Sequence, residues 1–185
     1  AEGGAMIRWI LNRQARAFGQ RYEYDTAYMH DVINTSPKAS LRMAAFPYAT
    51  GFRGPPAAGG IMAGAMLAST LDGDCGPCAQ LVVNMVTQAG GNPAKLRLCT
   101  EGRDAEAGDV GLGFRFAKAA ISGDPVVDDL RDEIEARFGK EAVVAVSFAA
   151  ATGRWYPVFK RGLGHGAACT QLQIGDVPVT VRKVS

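Results

Sequence analysis

Charge of one sign, histidine and long apolar runs are all scarce in this sequence. Twenty basic residues are set among eighteen acidic ones for a formal net charge of +2, so there is no electrostatic footprint for nucleic acid. The longest apolar stretch, Ala57 to Leu71, is interrupted by glycines and falls short of the roughly 20 residues that a membrane span needs. It reads as a buried core helix, and no membrane partner is expected. The first segment, Ala1 to Gln20, sets Arg8, Arg13 and Arg16 among its apolar residues. It therefore lacks the continuous apolar region of a secretory signal, and a cytoplasmic protein is expected. Ala1 to Ala5, which precede Met6, are given no functional weight. Four cysteines in 185 residues are too few for a disulfide scaffold, which belongs to much smaller secreted chains.

What is present is enough apolar residue, 48% of the chain, to bury the core of one compact domain. Apolar positions at helical spacing predict a helix over Met6 to Gln20 and a second from Asp25, its cap, to Asn34. Ser36-Pro37 signals a helix start, with Ala39 to Ala45 following, and Phe46-Pro47 should end or kink it. Glycines and prolines between Gly51 and Gly60 predict a loop. Two apolar helices follow, Ile61 to Leu71 and Cys75 to Ala89, separated by Asp72-Gly73-Asp74, whose aspartates are placed to cap the second. Asn92-Pro93 and Asp124-Pro125 repeat the start signal, with a helix from Gly108 to Ile121 between them. Val127, Leu130, Ile134 and Phe138 mark a helix with a charged outer face, and Glu141 to Phe159 reads as one long apolar helix that Pro157 ends or kinks. Beyond Gly175-Asp176, alternating Val177, Val179 and Val181 favour a short strand or extended arm. The expected organisation is an N-terminal helical segment (1–55), a helical core (56–162) and a C-terminal tail (163–185), packed as one unit.

Cys75 and Cys78 are the residues most clearly arranged for chemistry. Cysteines three apart on the first turn of a helix share a face and can bond reversibly. The helix amides and dipole lower their pKa, while Asp72 and Asp74 oppose this. Cys75-Gly76-Pro77-Cys78 also spells the thioredoxin tetrapeptide, but it follows a helical run and Asp74 rather than a buried strand, so that fold is rejected. Haem attachment would require a histidine where Ala79 stands. Structural zinc would need two further ligands from Cys99, Cys169, His30 and His165, which offer no second close pair. Two buried, inert cysteines are the plainest alternative.

Asp74-Cys75-Gly76-Pro77-Cys78, the apolar helix after it, Ala89-Gly90-Gly91-Asn92-Pro93 and the alanine-rich helical half that follows resemble the alkylhydroperoxidase D-like, or carboxymuconolactone decarboxylase, superfamily. The likeness runs over Pro56 to Gly162 and takes in Phe114-Arg115-Phe116-Ala117-Lys118 and the helices at Leu130 to Gly139 and Val143 to Phe159. It implies an all-α, alkylhydroperoxidase D-like helical domain, here with a short extended or β-like tail, that assembles as a homo-oligomer, often a trimer or hexamer. It also implies peroxidase chemistry: Cys78 attacks, becoming a sulfenic acid, Cys75 resolves it as a disulfide, and an outside thiol or dithiol reopens the bond. No metal or organic cofactor is required. The family's peroxidases have a histidine four residues after the second cysteine and a glutamate upstream of the pair. Here Val82 stands at the first position, and no glutamate lies between Tyr24 and Thr100. Acid–base assistance therefore falls to Asp72, Asp74, His30 or His165. A catalytically silent helical oligomer for binding or assembly, or a redox sensor, is the second reading. Decarboxylation of a lactone, which does not use the cysteines, is the third.

Overall fold

The computed structural model describes residues 2–166 and 171–180, so Cys169 and Val181 lie outside the described residues. The described chain is all-α, with one short hairpin near its C-terminal end. The helices are α1 (Glu2–Tyr22), α2 (Ala27–Thr35), α3 (Pro37–Thr50), α4 (Gly59–Asp72), α5 (Gly76–Gln88), α6 (Pro93–Thr100), α7 (Asp109–Ser122), α8 (Val127–Phe138), α9 (Lys140–Thr152) and α10 (Trp155–Gly162). Strands β1 (Gln171–Ile174) and β2 (Val177–Thr180) close the order.

Local chemistry accounts for several helix starts. Ser36 Oγ accepts from the Ala39 amide at 3.3 Å, Asn92 Oδ1 from Ala94 at 2.9 Å and Asp124 Oδ1 from Val126 at 3.0 Å, each satisfying an amide that has no partner within its helix. At α2 the Ala27 amide donates to Asp25 Oδ1 at 2.9 Å. Pro47 does not end α3, which runs on to Thr50. It sits in the last turn, where its missing N–H costs only the bond to Met43.

Two readings of the sequence are corrected. The apolar run from Glu141 to Phe159 is two helices, α9 and α10, because the chain turns at Gly153-Arg154. A Cβ at Gly153 would lie 2.7 Å from Ser69 Cβ on α4, so the break lets the end of α9 meet α4. Trp155 then stacks between Phe46 and Phe159, with centroids 4.3 and 4.7 Å away. Second, the cap of α5 is Cys75 and neither flanking aspartate: its Sγ accepts the Cys78 amide at 3.3 Å.

The core is built around α4, which packs on α7, α9 and α5. Ile61, Leu67, Leu112, Ile134 and Val146 are almost wholly buried there, each favouring the folded state by about 1.5–3 kcal/mol over an exposed side chain. A smaller cluster joins Tyr24, Tyr28, Val32 and Met43 from the α1–α2 turn, α2 and α3 to Leu81 of α5 and to Trp155, Tyr156 and Phe159 of α10. The hairpin turns at Gly175-Asp176, with Gly175 at a φ of +63°, and pairs Leu172 with Val179. Both are buried in the main core, as is Ile174, while Gln173 between the two β1 residues is exposed, the alternation expected of a strand with one covered face.

Candidate redox site

The turn between α4 and α5 sets up the cysteine pair. Asp74 adopts a φ of +52°, a left-handed conformation that aspartate tolerates better than most residues, and Cys75 follows in extended geometry as the cap of α5. Pro77 fits the first turn of α5, where no amide donor is needed. From α10, Arg161 donates to the carbonyls of Gly73 at 2.7 Å and Asp74 at 3.2 Å, clamping this turn. Cys75 and Cys78 are joined in a disulfide with Cα atoms 5.3 Å apart. Both are buried, at 2% and 5% exposure.

Side chains of α5 hold neighbouring elements against the pair. Asn84 donates to the Tyr22 carbonyl at 2.8 Å and Gln88 to that of Arg21 at 2.9 Å, satisfying carbonyls left open at the end of α1. Gln80 exchanges two bonds with the Gln173 backbone, at 2.8 and 2.7 Å, fastening the hairpin to the helix. Docking the end of α1 in this way delivers Tyr24, in the following turn, to the cysteines.

The Tyr24 hydroxyl lies 3.8 Å from Cys78 Sγ. A disulfide sulfur carries no proton, so Tyr24 is the donor. Lys160 of α10, only 3% exposed, donates in turn to the Tyr24 oxygen at 3.1 Å. Its ammonium also sits 4.9 Å from the Tyr24 ring centroid and 5.0 Å from that of Tyr28. Burial pushes the Tyr24 phenol up to about 12, against a hydrogen bond from Tyr28 that lowers it. Burial likewise raises Tyr28 well above the usual phenol range. Lys160 is held below the ordinary lysine value by burial, with the Asp25 carboxylate pulling the other way.

Asp72, His30 and His165 have partners elsewhere, and Asp74 is bonded through its backbone. Asp72 pairs with Arg154 Nε at 2.8 Å. The Asp74 carbonyl accepts from Arg161, and its amide donates to the Leu71 carbonyl at 2.9 Å. His30 Nδ1 bonds to Asn12 Oδ1, and His165 Nε2 lies 3.3 Å from Asp31. Val82 is buried. Among the described residues no group of three or more His, Cys, Asp or Glu side chains is placed to hold a metal ion. Cys99 is a free, buried thiol that burial pushes up to about 12.

A cavity of about 770 Å³ opens beside the pair. Cys78 lies in its wall with Tyr24, Tyr28 and Tyr156, whereas Cys75 does not. Met29, Met43, Met62, Met66 and Met85 line it too, five of the six methionines in the sequence. Flexible thioether side chains make such a wall adaptable. The sequence reading passed over Tyr24 and Lys160 altogether. The i, i+4 spacing of Tyr156 with Lys160, which puts both on one face of α10, was the only available signal.

No protein-family model, curated protein or solved structure matches this chain. Among the described residues no helix is long and apolar enough to cross a membrane.

Proposed function

We propose that the protein is a thiol-dependent antioxidant or disulfide-exchange protein of the alkylhydroperoxidase D-like kind, reducing hydroperoxides through Cys75 and Cys78. The observation that carries this reading is a bonded cysteine pair at a helix N-terminus with one sulfur, that of Cys78, in the wall of a large apolar cavity. In the reduced protein the helix N-terminus favours the thiolate. The Cys78 thiolate attacks the terminal oxygen of the hydroperoxide; an S–O bond forms, the O–O bond breaks, and the alkoxide leaves with a proton as the alcohol. Cys75 then attacks the Cys78 sulfenic acid, releasing water and closing the disulfide. An external thiol or dithiol reopens it by exchange and is itself oxidised. The cavity suits an organic hydroperoxide with an apolar body. A cytoplasmic setting, where such reductants are held reduced, belongs to the same reading.

A catalytically silent homo-oligomer, with the cysteines structural or sensing, is favoured by a different observation. Met6, Trp9 and Ile10 of α1 are exposed at 62%, 58% and 40%, an apolar face of the kind that association covers. The same face would serve the trimer or hexamer of an active enzyme. Turnover separates the two readings. With a small dithiol as reductant and an organic hydroperoxide as oxidant, Cys75→Ser and Cys78→Ser should each abolish turnover and leave the helical signal unchanged. Turnover that survives both substitutions, or none in the native protein, sinks the enzymatic reading.

A further inference from the structure

We infer that Tyr24 is the group that exchanges a proton with the Cys78 sulfur, and that Lys160 is the positioning residue that supplies and removes that proton through Tyr24. The inference rests on the redox reading of the cysteine pair and gives it an acid–base device other than the histidines and aspartates singled out in the sequence.

Geometry carries the argument. A fully buried lysine is rare unless something compensates it, and Lys160 has no carboxylate bonded to it among the described residues. Its compensation is the Tyr24 oxygen at 3.1 Å and the faces of two phenol rings, a cation–π cradle. The Tyr24 oxygen accepts from Lys160, and its own O–H is turned to Cys78 Sγ. The result is a directed chain from amine to phenol to sulfur. The groups facing it are Asp25 from the α1–α2 turn, Tyr28 from α2, Cys78 from α5 and Tyr156 from α10. Burial holds both phenols protonated and lowers the lysine pKa, so that the amine gives up its proton more readily than a free lysine, as a relay that both gives and takes a proton requires.

The steps balance. When an external thiolate attacks Cys75 Sγ, a mixed disulfide forms there, the Cys75–Cys78 bond breaks, and its electron pair leaves on Cys78 Sγ. Tyr24 gives its proton to that sulfur, Lys160 gives one to the Tyr24 oxygen, and water reprotonates the amine. Before attack on a hydroperoxide the chain runs in reverse. The Cys78 thiol donates to the Tyr24 oxygen, the Tyr24 proton passes to the neutral amine, and the thiolate is released. The same proton returns through Tyr24 to the departing alkoxide.

The test is ultraviolet titration of the Cys78 thiolate in a Cys75→Ser/Cys169→Ser protein, where serine still caps α5 and Cys99 titrates too high to interfere. Tyr24→Phe and Lys160→Met preserve ring and stem packing, and circular dichroism checks each fold. Each should raise the Cys78 pKa by about one unit or more, a tenfold loss of thiolate at pH 7. Lys160→Arg keeps a positive charge but cannot release a proton. It should leave the thiolate stabilised yet flatten the pH profile of the reaction of Cys78 with hydrogen peroxide. Unchanged Cys78 titration in both Tyr24→Phe and Lys160→Met overturns the relay. So does an arginine variant with the native pH profile. The titration needs no turnover, so absence of catalysis would remove the proposed function and leave this question separately decided.

Discussion

On one flank of α4 the protein is packed backbone against backbone; on the other it is hollow. Toward α7, a Cβ on Gly64 would fall 1.8 Å from the Val110 carbonyl oxygen, and one on Gly113 would fall 1.8 Å from that of Ile61. Toward α1, α2, α3 and α10 the same helix borders a cavity of about 770 Å³ with Met62 and Met66 in its wall. The difference assigns separate tasks to the two flanks. The tight flank holds α4, and through it the turn into α5, in one arrangement. The hollow flank leaves Cys78 reachable. Cys99 belongs to the packed flank, where burial pushes its thiol up to about 12.

The most severe way to break the comparison is to add one carbon to the tight flank. Gly64→Ala and Gly113→Ala press a methyl onto carbonyl oxygens that belong to a neighbouring helix and cannot rotate away. Each should cost about 3 kcal/mol or more, read as a lower urea midpoint or as failure to fold. A midpoint within error of the native protein would mean that α4 and α7 stand farther apart than described.

Alkali probes the hollow flank. Tyr156 lines the cavity, and burial pushes its phenol up to about 12 from 10. A group whose folded pKa lies above its unfolded one stabilises the fold fully below the unfolded value, and that stability is lost as pH rises through the folded value. The window is therefore about pH 10 to 12. Two units correspond to about 2.7 kcal/mol. The ring is partly exposed, so about 1–2 kcal/mol is expected. Urea unfolding at pH 8, 10 and 12 should show Tyr156→Phe losing that much less than the native protein across the window. Equal losses would place Tyr156 in water.

The two flanks also differ in how far the sequence revealed them. Helix starts at Ser36, Asn92 and Asp124 were legible because a cap is a bond between near neighbours, and strand β2 was legible from the alternating valines, though its partner β1 was not. The Cys-x-x-Cys pair was legible for the same reason. The break at Gly153 was hidden, since an alanine- and valine-rich run reads as one helix and only the contact with Ser69 divides it. Cys75 displaced Asp74 as the cap because the aspartate is taken up in the left-handed turn before it. The chain from Lys160 to Tyr24 to Cys78 was hidden most completely. Its members come from α10, the α1–α2 turn and α5, and a lysine in sequence carries the expectation of solvent. Only docking the end of α1 through Asn84 and Gln88 brings the phenol to the sulfur.

The smallest expected effect on stability is also the one that most sharpens the contrast. Ala65 and Met62 lie within one turn of α4, but Ala65 is wholly buried toward the core while Met62 lines the cavity. Ala65→Leu overpacks a filled space and should cost about 1–3 kcal/mol. Met62→Phe adds bulk where space exists, so its cost should stay below about 1 kcal/mol. That side chain would occupy volume that a substrate body needs. Turnover of a bulky organic hydroperoxide should therefore fall several-fold relative to hydrogen peroxide, which is small enough to reach Cys78 past the new ring. Equal losses for the two oxidants would show that the cavity is not the route to the sulfur, even if the cysteines themselves prove reactive.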